Sequence, residues 1–161
     1  AVSQFDLENN LALGVHREKY TSKNGITLDF DKIRKDAETM IEKYDIRPAE
    51  PNIIFGRMSG GNQQKVIVAR ELEKEHKFII ASQPTRGVDI GAIESIHNMI
   101  LQEKTRGNAI LVVSAELSEV MNLSDRIAVM FHGKIMDIID REDATEEKLG
   151  ILMAGGQLDE K

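Results

Sequence analysis

Ser59, Gly60 and Gly61 stand directly before a helical pattern, within Met58 to Lys65 (MSGGNQQK). Two consecutive glycines leave backbone N–H groups open, and Ser59 adds a hydroxyl at the capping position. The helix macrodipole contributes roughly half a positive charge at the same point, so the natural guest is an anion, a terminal phosphate above all. S-G-G taken alone is also what a plain serine-capped helix after a glycine turn looks like. A second stretch, Phe78 to Asp89 (FIIASQPTRGVD), has the form of a catalytic strand running into a loop, but its acids are missing. The apolar run ends in Ala81, Ser82 and Gln83, where phosphate chemistry would want carboxylates. Serine offers one weak oxygen, and glutamine can position water but cannot take its proton. His16, His76, His97 and His132 show no metal-ligand spacing and read as surface or packing residues, so no metal site is expected in these residues.

The elements that must hold these segments follow from periodicity. Asp31 to Tyr44 places Ile33, Ala37, Met40, Ile41 and Tyr44 on one face, which predicts an amphipathic helix. Residues 45 to 57, with two prolines and a glycine, read as a loop, and a second helix is expected from about Gly60 to Glu73. The pattern then alternates: a strand at Phe78 to Ala81, a helix over Ile90 to Lys104, a strand at Ala109 to Ser114, and a short helix from Glu116. Short continuous apolar runs of this kind are typical of parallel strands covered on both faces. Arg126 to Phe131 and Lys134 to Ile139, joined at His132-Gly133, form a hairpin pattern, and a last helix covers Thr145 to Met153. The fold class is therefore α/β, with a helical part over residues 1–73 and an α/β half-core over 74–161. That half-core would make a small sheet, the remainder of a larger one.

Composition narrows the function. A chain of 161 residues, 41% apolar and 30% charged, can bury one ordinary core, and its net charge of -6 argues against nucleic acid as a partner. The absence of cysteine excludes disulfides and thiolate metal sites. No apolar run approaches the roughly 18 residues a spanning helix needs, so work at a membrane would go through a partner. The chain opens in mid-pattern at Ala1 and reads as a piece of something longer, although trimming of a natural N-terminus would look the same.

SGGNQQK resembles the signature loop of ATP-binding cassette (ABC) proteins, in the form found in importers of simple sugars and nucleosides. PTRGVDIGA, Pro84 to Ala92, resembles the loop after the Walker B strand in those domains, with Asp89 in the place of the D-loop aspartate. SDRIAVMFHGKI, Ser124 to Ile135, resembles the segment closing their catalytic subdomain, and FDLENNLALG resembles the stretch after their glutamine loop. The chain has no G-x-x-x-x-G-K-[ST] phosphate loop, so the resemblance implies a partial P-loop NTPase fold: the helical subdomain plus the C-terminal half of the parallel-sheet core. It implies that Ser82 replaces the magnesium-holding Asp, Gln83 the catalytic Glu, and Ala115 the switch histidine. Losing a general base costs about 10² to 10⁴ in rate, which would leave this side of the enzyme silent.

In that family two nucleotide domains pair head to tail, so the resemblance further implies that Ser59, Gly60, Gly61, Asn62 and Gln63, with Asp89, serve ATP held by the partner domain. ATP and Mg²⁺ would bind the longer dimer and not these residues alone. The LMAGG tail (Leu152 to Gly156) and the acid-free strand end resemble the second cassette of tandem nucleoside importers. The implied partners are a second nucleotide-binding domain, a transmembrane permease and, indirectly, a substrate-binding protein. The implied place is the cytoplasmic face of the membrane, with a docking surface around Phe5 to His16, where apolar residues are otherwise core. Two alternatives stand beside the importer: a nucleotide-gated module that transports nothing, and an independent binding domain without ATP chemistry.

Overall fold

In the computed structural model, which describes residues 1–22 and 26–157, the apolar spacing before Tyr44 folds as three helices. They are α1 (Leu7–Ala12), α2 (His16–Lys19) and α3 (Phe30–Lys43). Asp29 caps α3 by accepting from the Lys32 N–H at 3.0 Å, and Ile33, Ala37, Met40 and Ile41 form its buried face. Glu8 on α1 clamps Arg34 of α3 through two hydrogen bonds of 2.8 and 2.9 Å, a fork geometry that fixes direction as well as contact. The predicted loop of residues 45–57 carries one 3-10 turn, Phe55–Arg57, and sends Ile46 and Phe55 into the core. Helix α4 (Gly60–Leu72) then buries Val66, Ala69 and Leu72 among Leu7, Met40 and Ile41.

Strands β1 (Phe78–Ser82) and β2 (Ala109–Val113) pair in a two-stranded sheet, linked through α5 (Ile90–Thr105). They run in the same direction: the Ala109 N–H donates to Lys77 O at one end, and the Gln83 N–H to Val113 O at the other. The parallel arrangement expected of the sequence is therefore present. Coverage on both faces is not: Phe78 and Ile80 are 54% and 62% exposed, and Leu111 and Val113 are 48% exposed each. Among the described residues no helix lies over that side, so each strand alternates exposed and half-buried.

After α6 (Leu117–Leu123), β3 (Arg126–Phe131) and β4 (Lys134–Asp140) form the expected antiparallel hairpin. His132 (φ 46°) and Gly133 (φ 77°) both adopt the left-handed conformation that a two-residue turn matched to strand twist requires. Ile127, Val129 and Ile139 point inward against Leu149 and Leu152 of α7 (Glu146–Met153), whose cap is Thr145. By packing, the chain divides into two units, residues 1–79 with 84–109, and residues 80–83 with those from Ile110 on. The main core belongs to the first, and the hairpin and α7 form a smaller core in the second.

Candidate functional site

The loop before α4 carries the donors that the sequence suggested. Gly60 and Gly61 occupy the first two positions of the helix, where a backbone N–H has no intrahelical acceptor, and among the described residues neither donates elsewhere. Ser59 is the N-cap and, with Gly60, is exposed. A hydroxyl and two N–H groups thus converge at the positive end of a helix of 13 residues.

The next side chains along the helix are turned onto the loop itself. Asn62 Oδ1 accepts from the Arg47 N–H at 2.7 Å, while Asn62 Nδ2 donates to Ser59 Oγ at 3.0 Å. Gln63 Nε2 donates to Met58 O at 2.9 Å, and Gln64 Nε2 to Pro84 O at 2.8 Å. Lys65, buried on the inner face of α4, donates to Asp45 O at 3.0 Å, and Asp45 holds a left-handed φ of 45° that Asp tolerates better than most residues. Sequence reasoning missed Arg47, Gln64 and Lys65, because their partners are between 15 and 20 residues away and no local pattern marks them.

Asp89 lies next to this loop. Its Oδ1 caps α5 by accepting from the Ala92 N–H at 2.9 Å, and its Oδ2 lies where a Cβ on Gly61 would be only 2.7 Å away. The second glycine therefore admits close approach of α4 to the start of α5, a demand distinct from opening its N–H.

Ser82, Gln83 and Ala115 come together at the adjoining C-terminal ends of β1 and β2. Ser82 and Ala115 are exposed, and Gln83 has a φ of 49°, a strained value for a residue with a Cβ, pinned by its N–H bond of 2.7 Å to Val113 O. A divalent cation of the magnesium kind asks for carboxylate oxygens, and this strand end supplies a neutral hydroxyl and a neutral amide. The residues present do not fit that ion, and among the described residues no group of three or more His, Asp or Glu side chains forms a metal site. Of the stretch Phe5 to His16, Leu7, Leu11 and Ala12 are core, whereas Phe5 is exposed. Among the described residues no helix is long and apolar enough to cross a membrane.

No protein-family model matches the chain. It is 44% identical over 159 residues to the nucleoside import ATP-binding protein NupA of Lactococcus lactis subsp. cremoris, covering 99% of this chain and 31% of that protein. It is 42% identical to the guanosine import ATP-binding protein NupO of Bacillus subtilis, covering 96% and 30%. To the ribose import ATP-binding protein RbsA of Caldanaerobacter subterraneus subsp. tengcongensis it is 47% identical, covering 81% and 26%. The chain thus spans less than a third of the length of these relatives. Among solved structures, a nucleotide-free ATP-binding cassette from an ABC transporter matches with a TM-score of 0.67 at 26% identity, covering 87% of this chain and 57% of that one. Another ATP-binding cassette of an ABC transporter matches with a TM-score of 0.73 over 95% of this chain and 62% of that one; at 22% identity it speaks to the fold. A two-stranded parallel pair, a serine-capped helix that opens on two glycines and relatives of this identity agree: the chain belongs to the ABC ATPases, of whose cassette it spans a part.

Proposed function

We propose that this chain is the C-terminal part of the second cassette of a nucleoside or sugar import ATPase, and that it completes a nucleotide site on a partner cassette while its own site is silent. Residues 1–73 act as the helical signature subdomain and 74–161 as the half-core. The observation that carries the reading is a contrast. Three donors, Ser59 Oγ–H and the N–H groups of Gly60 and Gly61, stand at a helix N-terminus with no acceptor among the described residues, while the strand end carries Ser82 and Gln83.

Phosphoryl transfer needs positioning and charge stabilisation more than covalent help, so donors fixed before the nucleotide arrives lower the barrier without reorganisation. Ser59, Gly60 and Gly61 would meet the terminal phosphate of ATP held by the partner's phosphate loop, with Gln63 and Asp89 around it and Asn62 behind Ser59. Mg²⁺ and ATP belong to the longer protein's paired cassettes, and in the partner's site the ion would neutralise phosphate charge. At this chain's own strand end Gln83 can orient a water but cannot deprotonate it. A membrane permease, fed by a substrate-binding protein, would be the machine this ATPase drives from the cytoplasmic face.

The exposed apolar sides of β1 and β2 support the same reading, since they are what a larger parallel sheet packed on both faces would leave when part of it is taken away. In the whole protein, Ser59→Arg should cut ATP hydrolysis at least about 100-fold, as loss of preorganised donors does. The triple change Ser82→Asp, Gln83→Glu, Ala115→His should raise it. Full activity in Ser59→Arg would show that the partner site does not use this loop, and no response to the triple change would show that these three positions do not limit the silent site.

A further inference from the structure

We propose that Asn62 is a positioning residue that acts through Ser59: it commits the serine hydroxyl as an outward donor and touches no nucleotide atom itself. The inference rests on the reading of Ser59 to Gly61 as the phosphate-facing group. A backbone N–H can only donate, so the atom of Asn62 that meets the Arg47 N–H at 2.7 Å is the amide oxygen. The amide NH₂ then faces Ser59 Oγ at 3.0 Å and donates to it. The Asn62 backbone N–H reaches the same Oγ at 3.4 Å. A hydroxyl has two acceptor positions and one proton, so with both acceptor positions taken by Asn62 the Ser59 proton is directed away from the loop.

The bracing amide is itself held. Arg47 belongs to the turn whose Asp45 carbonyl receives the buried Lys65 ammonium at 3.0 Å, and Lys65 sits on α4 one turn beyond Asn62. The amide plane is thereby tied at one end to a turn that α4 anchors, and at the other to the cap of α4. A serine without this brace could spend its proton on water or a backbone carbonyl. A braced one presents only a donor, which suits a fully ionised phosphate oxygen.

A double-mutant cycle in the whole protein, assembled with its membrane partner, tests this through kcat and KM for ATP. Ser59→Ala should lower kcat about 100-fold, the scale of one lost donor to a developing anion. Asn62→Ala should lower kcat about 10-fold with KM nearly unchanged, and the double variant should be no worse than Ser59→Ala within a factor of about 2. If the two losses multiply, or if Asn62→Ala leaves kcat intact, Asn62 does not act through Ser59 and this inference falls while the reading of the loop stands. Unaltered kcat in Ser59→Ala would bring down that reading and the inference with it.

Should Asn62→Ala fail to assemble, Asn62→Asp answers the same question. It keeps an acceptor for the Arg47 N–H and places a carboxylate in the first turn of α4, where the macrodipole favours it. Its second oxygen would draw the Ser59 proton inward, so kcat should fall in the native background and hardly at all beside Ser59→Ala. A full-sized loss in both backgrounds would overturn the assignment.

Discussion

A methyl group on Gly61 would sit 2.7 Å from both Asp89 Oδ2 and Ala92 Cβ, whereas one on Gly60 would find Gly87 O at 3.8 Å, an ordinary contact. The two glycines of the loop therefore answer different demands. Gly61→Ala should destabilise the packing of α4 against α5 by about 1–3 kcal/mol, the usual cost of overpacking. Gly60→Ala should leave stability nearly unchanged. Chemical denaturation of the two variants separates them, and equal midpoints would refute the steric account. Both glycines are legible in the sequence as openers of backbone N–H groups. The closeness of Asp89 to Gly61 is not, because it joins positions 28 apart through the packing of two helices.

At the scale of elements, the end of α3 is tied to the end of α4 by charge. The Tyr44 hydroxyl donates to Glu73 Oε1 at 2.8 Å, and Lys43 pairs with the same oxygen. Burial alone would raise the Glu73 pKa, but the hydrogen bonds from Lys43 and Tyr44 and the nearby positive charge override it and hold the carboxyl below the ordinary glutamate value. A lowered folded pKa means the unfolded chain binds the proton more readily. The stabilisation is therefore whole above about pH 5 and is lost as pH falls past about 4.3 toward the folded value. Glu73→Gln should flatten the acid side of a plot of thermal midpoint against pH, and an unchanged slope would mean that the contact is too well screened by solvent to matter. The helices themselves follow from amphipathic spacing and caps, as in α3 with Asp29 and α7 with Thr145. The short α1 and α2 carry too few turns for a period to show; α1 is placed by burial of Leu7, Leu11 and Ala12, whereas α2 buries none of its residues.

For the whole molecule, the exposed apolar side chains set the expectation. Phe78, Ile80, Leu111 and Val113 on β1 and β2, and Met130 and Ile138 on the hairpin, leave more apolar strand surface open than a finished sheet would. The 161 residues alone should bind a hydrophobic dye strongly, and the longer protein should bind it weakly. Calorimetry should detect no ATP binding by these residues alone, since no phosphate loop lies among them. Clear binding would sink the reading that the phosphate loop lies elsewhere.

The sequence by itself determined the longer helices and the strands, the order of the loop motifs and the neutral character of the Ser82-Gln83 strand end, because these are written in residue type, period and local spacing. The tertiary structure decided how those parts are braced. That Asn62 reaches Arg47, Lys65 reaches Asp45 and Gln64 reaches Pro84 depends on where the chain returns after 15 to 20 residues. That one side of β1 and β2 stands open depends on what packs there, and no local pattern encodes either.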